Sequence, residues 1–191
     1  MSMGLLDLML ERRSVRKYSG EPIPEEKLEK IIQAGLLAPT SRNLKPWEFY
    51  VVRGKSMLDR LARSKAAGAA FLEGADAAIV VASDSTKADT WIEDDSIAMS
   101  FMHLMAAEQG VGSCWIQIHL RKTESNRDAE AKVRRILDLE ENQRIVGILA
   151  LGMPAEESKP HTLEEIDKSK VHWVIGGEYI TTAAFDADEN E

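Results

Sequence analysis

The sequence of 191 residues contains a single cysteine, Cys114. One cysteine cannot form a disulfide within the chain, and it supplies too few thiolates for a zinc or iron–sulfur site. The four histidines form neither an HExxH motif nor a closely spaced pair of ligands. The sequence therefore predicts no metal site, and the plain interpretation of Cys114 is a small core residue.

Long apolar runs and an excess of positive charge are also missing. No run approaches the roughly 18 to 20 residues that span a bilayer, and residues 1–3 lack the basic region and apolar stretch of a targeting segment. The net charge of -8 argues against general binding to nucleic acid or anionic membrane, because such binding needs Lys and Arg to neutralise phosphates. We expect a cytoplasmic protein with neither kind of partner.

The common motifs of nucleotide-binding loops and hydrolases are absent as well. There is no Walker A motif, no GxGxxG after a predicted strand and no GxSxG motif. Asp94 and Asp95 are neighbours on a predicted helix, so their side chains point about 100° apart and make a poor acid–base pair. The sequence gives no support for hydrolase chemistry.

The composition is that of one soluble domain, with 44% apolar and 29% charged residues. We expect this domain to span residues 1–185 and the acidic residues 186–191 to be disordered. Helical and strand patterns alternate, which predicts an α/β or α+β layered arrangement around about four strands. The predicted strands are 47–52, 77–82, 113–117 and 144–151, and the main predicted helices start near Leu5, Pro24, Trp91 and Arg127.

The helix from about residue 91 to 109 is interpreted as the central one. Ile97, Phe101, Leu104 and Met105 recur at helical spacing, which predicts that they form its buried face, and Ala98 and Met102 widen this face. By contrast, the strand 77–82 is an unbroken apolar run, which predicts burial on both faces of the sheet.

The densest group of cations is residues 12–18, Arg-Arg-Ser-Val-Arg-Lys-Tyr, in an otherwise acidic chain. Guanidinium groups present forked donors that match phosphate oxygens, and Ser14 adds a hydroxyl donor. The cluster predicts a site for a phosphate monoester held by side chains. A solvated basic turn is the alternative.

Four blocks, taken in order, resemble the FMN-dependent nitroreductase family. They are residues 12–16, the proline-bracketed loop 38–47, the segment 110–115 and Gly152-Met153-Pro154. Together they cover nearly the whole chain. The resemblance implies an α+β fold, a three-layer α/β/α sandwich with a mixed, mostly antiparallel sheet. It also implies a homodimer with an exchanged C-terminal extension, for which the apolar segment 171–180 is the candidate.

The resemblance implies which positions hold the FMN. The implied FMN contacts fall into four groups of residues. The first group binds the phosphate and ribityl chain, and the second is a loop that reaches the flavin of the other subunit. The third lies beside the isoalloxazine ring, and the fourth adds basic contacts, with a histidine where the family often has an arginine. In that order the groups are Arg12, Arg13, Ser14 and Arg16; Pro39, Thr40, Ser41 and Asn43; Cys114, Trp115, Ile116 and Gln117; and Lys159 with His161.

The implied activity is reduction of small electrophiles such as nitroaromatics or quinones by a ping-pong cycle with NADH or NADPH, in which no side chain serves as nucleophile or general base. Lys159 or Lys45 is the candidate charge beside the flavin N1 and O2 edge. Asp94 either approaches the ring or is a surface carboxylate. Related flavin reactions, such as dehalogenation or enoate and azoline redox chemistry, and a non-catalytic flavin-binding protein are the alternatives.

Overall fold

The structure, a computed structural model, describes residues 4–181, so the predicted acidic tail lies outside the described residues. The chain divides into two compact units, Met1–Lys159 and Pro160–Glu191. No helix among the described residues is both long enough and apolar enough to cross a membrane.

A four-stranded sheet forms the centre of the first unit. Its strand order is β1-β2-β4-β3, and every neighbouring pair is antiparallel. An isolated parallel bridge between Ser14 and Ser113 adds the mixed character predicted for the sheet. The four predicted strands are confirmed, each within two residues at either end. The strands are β1 (Trp47–Arg53), β2 (Ala77–Asp84), β3 (Gly112–Gln117) and β4 (Gln143–Gly152).

Helices cover both faces of this sheet and give the predicted three-layer sandwich. One core joins α2 and α4 to one face, and a second core joins α3 and α5 to the other. The apolar run of β2 explains why both cores are needed: Ile79 and Val81 belong to the first, whereas Val80 belongs to the second. The helices are α1 (Leu5–Glu11), α2 (Glu25–Leu36), α3 (Lys55–Ala62), α4 (Trp91–Glu108) and α5 (Ala129–Leu137).

The predicted buried face of α4 is wrong in part. Ala98 and Met102 are buried as predicted, and Met99 is buried as well. The side chains of Ile97 and Phe101, by contrast, are 36% and 40% exposed. The helix carries apolar residues on nearly every side because it packs against the sheet, α1 and α2. Apolar spacing alone therefore does not identify the side that faces the sheet.

The basic segment 12–18 runs beside the start of β3, where Ser14 bridges to Ser113, and then beside the residues that follow β4, where Tyr18 bridges to Pro154. Val15 packs so closely on Gly112 that a Cβ there would lie 2.8 Å from Val15 Cγ1, and a Cβ on Gly152 would lie 2.6 Å from the ring of Tyr18. The Tyr18 hydroxyl donates to the Val15 carbonyl at 2.9 Å. Gly112 and Gly152 are paired across β3 and β4, so they together form the floor on which this segment rests.

A buried carboxylate fixes the beginning of β4 against α5. Glu130 is 2% exposed and accepts hydrogen bonds from the guanidinium of Arg144 at 2.8 and 3.0 Å, from His119 Nδ1 at 2.6 Å and from the Ile145 N–H at 3.2 Å. Burial raises the pKa of Glu130, but these donors outweigh burial and lower it below its usual range. The carboxylate therefore stays charged in this setting.

The second unit contains a β-hairpin where the sequence has its apolar C-terminal segment. β5 (His172–Ile175) pairs with β6 (Glu178–Thr181) in antiparallel register. Gly176 and Gly177 both have positive φ, 62° and 91°, as a two-residue hairpin turn of the mirror-image type requires. The side chains of Val174, Ile175 and Tyr179 are exposed.

Candidate functional site

The basic segment predicted to bind phosphate is extended and lies against β3. The Val15 N–H donates to the Ser113 carbonyl at 2.9 Å, beside the parallel bridge between Ser14 and Ser113. Arg12 extends to His103 on α4, with its Nη1 3.0 Å from His103 Nε2, whereas Arg16 lies over the ring of Phe71 in the segment between α3 and β2. Ser14 lies between the two arginines along the chain, and its hydroxyl forms a hydrogen bond with the thiol of Cys114.

Several positively charged side chains lie near the thiol of Cys114 on β3. Burial raises the pKa of Cys114, while Arg16, a hydrogen bond from Ser14, Arg12 and Lys65 oppose that rise. The side chain itself is 2% exposed, in agreement with a small core residue.

Lys65 is a candidate site residue that sequence reasoning missed. Its Nζ donates to the Gln117 carbonyl at the end of β3, at 3.2 Å. Burial and the nearby Arg121 lower the pKa of Lys65. Lys65 lies in a loop of small and basic residues between α3 and β2, where no motif distinguishes it, and only the folded chain brings it to β3.

The outer edge of β3 presents backbone groups beside these cations. The Ser113 and Gln117 carbonyls both point to this edge, since they accept from Val15 and Lys65. In an antiparallel strand the N–H and C=O of one residue point the same way and the direction alternates, so Trp115 also presents its N–H and C=O here. Its indole N–H donates to Gln117 Oε1 at 3.0 Å, which orients both side chains.

The charge at this edge is not neutralised by the chain itself. Among the described residues, no carboxylate forms a salt bridge with Arg12, Arg16, Lys65 or Arg121, although the chain carries a net charge of -8. Arg16 instead lies over the ring of Phe71, 5.8 Å from its centroid. Uncompensated guanidinium groups, a serine hydroxyl and an open strand edge are a donor set that fits an anionic ligand with a phosphate and a polar ring.

The loop predicted to reach a partner's flavin is held from below by Asp94. Asp94 Oδ1 accepts from the Ser41 N–H at 2.9 Å, and its Oδ2 accepts from Thr90 Oγ1 at 3.2 Å. Asp94 is 2% exposed, so its interpretation as a surface carboxylate is wrong. Both of its oxygens serve the fold of the loop and the start of α4.

The backbone of this loop is unusual. Arg42, Asn43 and Lys45 have positive φ values of 53°, 55° and 46°, which non-glycine residues seldom adopt. Arg42 forms an ion pair with Asp89, which helps to hold the strained conformation. Strain of this kind persists where surrounding contacts enforce it, often at functional sites.

The structure does not bring all predicted site residues together. Within the described residues, no hydrogen bond or ion pair joins the loop 39–45 to residues 12–16, so the predicted contact across a subunit interface stays a prediction. Lys159 accepts a hydrogen bond from Arg13 through its carbonyl at 3.0 Å. His161 belongs to the second unit and pairs with Glu165 at 2.6 Å.

The remaining predicted positions divide between core and edge. Ile116 is 1% exposed and packs in the core shared with α3 and α5. Trp115 and Gln117 are half-buried. Within residues 4–181, no cluster of three or more His, Cys, Asp or Glu side chains is arranged to hold a metal ion.

Comparison with known proteins identifies the family. The profile of the Nitroreductase family matches residues 9–153. The chain belongs to the nitroreductase family. This is a family of NAD(P)H oxidoreductases, and the matched range includes every part of the site in the first unit except Lys159.

Individual relatives agree with this assignment. An FMN-dependent nitroreductase from Clostridium difficile R20291 is 41% identical, with a TM-score of 0.85 over 87% of this chain and 96% of that one. A protein from Archaeoglobus fulgidus, provisionally named an NADH dehydrogenase/NAD(P)H nitroreductase, is 35% identical over 80% of this chain and 86% of its own length. A provisionally named nitroreductase from Desulfovibrio desulfuricans, solved in complex with FMN, shares the fold at 23% identity, with a TM-score of 0.69 over 86% of this chain and 95% of that one.

Proposed function

We propose that the protein is an FMN-dependent NAD(P)H oxidoreductase that reduces small electrophiles such as nitroaromatics or quinones. The observation that carries the proposal is the group of uncompensated cations beside the open edge of β3 in an acidic chain. FMN is an anionic phosphate ester with a long polar ring system, so it matches both parts of this site. The name of the Clostridium difficile relative, an FMN-dependent nitroreductase, supports the choice of cofactor.

The phosphate end of the site is assigned to Arg12, Ser14 and Arg16. Arg12 and Arg16 flank Ser14 in the segment beside β3, and their two guanidinium groups supply several charge-assisted donors. Arg13 points its guanidinium to the Lys159 carbonyl instead, which links the basic segment to the end of the first unit. We assign Arg13 a supporting role.

The ring end of the site is assigned to β3 and Lys65. The edge N–H and C=O of Trp115 and Gln117 match the polar atoms of a flavin ring, and the amine of Lys65 lies at the end of this row. We assign to Lys65 the role of the positive charge beside the flavin ring, for which Lys159 and Lys45 are the candidates from the sequence. A positive charge here stabilises negative charge that develops on the ring during reduction.

When bound, FMN would supply the redox chemistry by accepting hydride at N5 from NADH or NADPH and returning it to a small electron acceptor. The chain's own residues bind and orient the cofactor and set the charge around it. No side chain is assigned as a nucleophile or general base.

The proposal includes a homodimer. The helices α1 and α4 contact each other in the first unit, and both carry exposed apolar residues. These residues are Leu5 and Leu6 on α1 and Ile97 and Phe101 on α4. Within the second unit, Val174 and Ile175 of the hairpin are also exposed. Exposed apolar side chains on neighbouring helices are typical of an interface. A second subunit would bring the loop 39–43 to its flavin, as the family pattern implies.

A matched pair of neighbouring cations tests the phosphate assignment. We expect Arg16→Met to weaken FMN binding about 10- to 100-fold, because it removes charge-assisted hydrogen bonds to the phosphate. Lys17→Met is the control, since Lys17 is exposed and pairs with Glu156 at 3.0 Å. Isothermal titration of the apoprotein with FMN measures both. Equal affinities for the two variants would contradict the assignment.

The reaction is tested separately with the FMN-loaded protein. Initial rates with NADH and NADPH against a nitroaromatic, a quinone and a halophenol distinguish a general reductase from a dehalogenase. We expect parallel double-reciprocal lines, the signature of a ping-pong cycle. Bound FMN that neither nicotinamide reduces would favour a non-catalytic flavin-binding protein instead.

A further inference from the structure

His103, on α4, joins Arg12 to β3 through both nitrogens of its ring. Arg12 Nη1 lies 3.0 Å from His103 Nε2, and His103 Nδ1 lies 2.5 Å from Ser113 Oγ. Ser113 is 2% exposed and its carbonyl accepts from the Val15 N–H of the basic segment. The imidazole therefore lies between the guanidinium of Arg12 and the strand beside which that segment runs.

The contact fixes the protonation state of the ring. A guanidinium has donors only, so Nε2 must accept, and the single proton of the neutral ring must be on Nδ1, where it donates to Ser113 Oγ. Burial and the charge of Arg12 lower the pKa of His103 to about 4, in agreement with a neutral imidazole. A charged imidazolium could not accept from Arg12.

We propose that His103 is a positioning residue that aims the Arg12 guanidinium at the phosphate of the cofactor without neutralising its charge. This inference rests on the proposed function. A carboxylate in the place of His103 would hold Arg12 equally well, but it would cancel the positive charge and compete with the phosphate. A neutral imidazole uses one of the five N–H donors of Arg12 and leaves four for an anion.

The proposal predicts a selective loss of phosphate recognition. FMN and riboflavin differ only in the phosphate, so the ratio of their dissociation constants reports on that contact alone. We expect His103→Leu to weaken FMN binding about tenfold or more, the equivalent of one lost charge-assisted contact, and to change riboflavin binding less than about twofold. The ratio is measured by flavin fluorescence quenching with the apoprotein.

Two conservative variants separate positioning from packing. The side-chain oxygen of His103→Gln reaches the position of Nε2 and keeps an acceptor for Arg12. The side chain of His103→Asn reaches only the position of Nδ1 and keeps the contact with Ser113. We expect Gln to restore the selectivity for FMN to within about threefold of the wild type and Asn not to do so, although both variants keep a polar group in the same cavity.

A double-mutant cycle with Arg12→Met completes the test. If His103 acts through Arg12, His103→Leu causes no further loss of FMN affinity once Arg12 is absent. The ratio of the FMN and riboflavin dissociation constants stays unchanged in His103→Leu if the variant loses affinity for both flavins equally or for neither. Either result would overturn the inference while leaving the proposed function intact. A wild-type protein that binds neither flavin would instead contradict the proposed function, and the inference with it.

Discussion

Asp95 is the residue whose ionisation the fold alters most clearly. It lies on α4 with no exposed surface, its Oδ1 accepts from Ser83 Oγ at 2.5 Å, and its Oδ2 has no hydrogen-bond partner among the described residues. Burial raises the pKa of Asp95 to about 8, the hydrogen bond from Ser83 opposes the rise, and the nearby Asp94 adds to it. A neutral carboxyl group therefore belongs to the folded state at neutral pH.

This raised pKa gives the stability of the protein a definite pH dependence. The folded state holds a proton that the unfolded chain releases near pH 3.8, so the contribution of Asp95 is complete below about pH 4 and is lost as the pH rises towards 8. We expect the free energy of unfolding of Asp95→Asn to gain about 2 kcal/mol or more on that of the wild type between pH 5 and pH 8.5.

Urea unfolding of the two proteins at both pH values measures this difference. Asp89→Asn is a suitable control, because Asp89 is largely exposed and its ion pair with Arg42 lies on the surface. A wild-type protein whose stability relative to Asp95→Asn stays constant between pH 5 and 8.5 would show that Asp95 is charged in the folded state.

At the scale of elements, the edge of β3 depends on two glycines. Gly152→Ala would place a Cβ 2.6 Å from the Tyr18 ring, so the ring and the segment before it must move. We expect the variant to be destabilised by about 1–3 kcal/mol and to lose FMN affinity, because Arg12, Ser14 and Arg16 belong to that segment. Thermal unfolding and FMN titration measure the two effects.

A third glycine, away from this edge, serves as the control for this change. A Cβ added at Gly20 would meet no atom within 4 Å, although the φ of 85° at this position adds backbone strain to any substitution. Gly20→Ala should therefore lower stability through strain while leaving FMN affinity close to that of the wild type. Equal losses of FMN affinity in the two variants would contradict the role given to Gly152.

The sequence predicts those elements that local patterns specify, and it does not predict the features that depend on tertiary contacts. Each strand of the main sheet has its own apolar run or turn signals, so all four are found locally. The exposed side of α4 cannot be predicted locally, because the helix is apolar on nearly every side and only its neighbours decide which residues are buried. Lys65 and His103 are missed for a similar reason: each contacts the site from a distant part of the chain, and nothing in the flanking residues marks it.

Asp94 illustrates the same limit at a predicted position. The resemblance suggests a polar group near the ring, and an isolated carboxylate on a helix is usually exposed. In the structure its oxygens accept from Ser41 and Thr90, and the loop over them has three residues with positive φ. The conformation of that loop is the product of tertiary contacts, which a proline-bracketed sequence does not specify.

At the scale of the whole molecule, a substitution among the exposed apolar residues of α4 tests the proposed homodimer. Phe101→Glu places a charge on this surface, and we expect it to convert a dimer to a monomer, because an unpaired charge in an apolar interface is costly. Val51→Glu is the matched control: Val51 is equally exposed, at 40%, but lies on β1 at the opposite edge of the sheet from β3.

Size-exclusion chromatography with light scattering gives the mass of each protein. A wild-type monomer would contradict the dimer directly. A dimer that Phe101→Glu leaves intact would move the interface away from this face of α4.

The central claim is that this nitroreductase-family chain binds a flavin that nicotinamides reduce. The most direct measurement is the visible absorption spectrum of the FMN-loaded protein during anaerobic addition of NADH and then NADPH. The account predicts flavin absorption that bleaches with at least one of the two and returns when an electron acceptor is added. A protein that takes up no FMN, or whose bound flavin keeps its colour with both nicotinamides, would contradict the account.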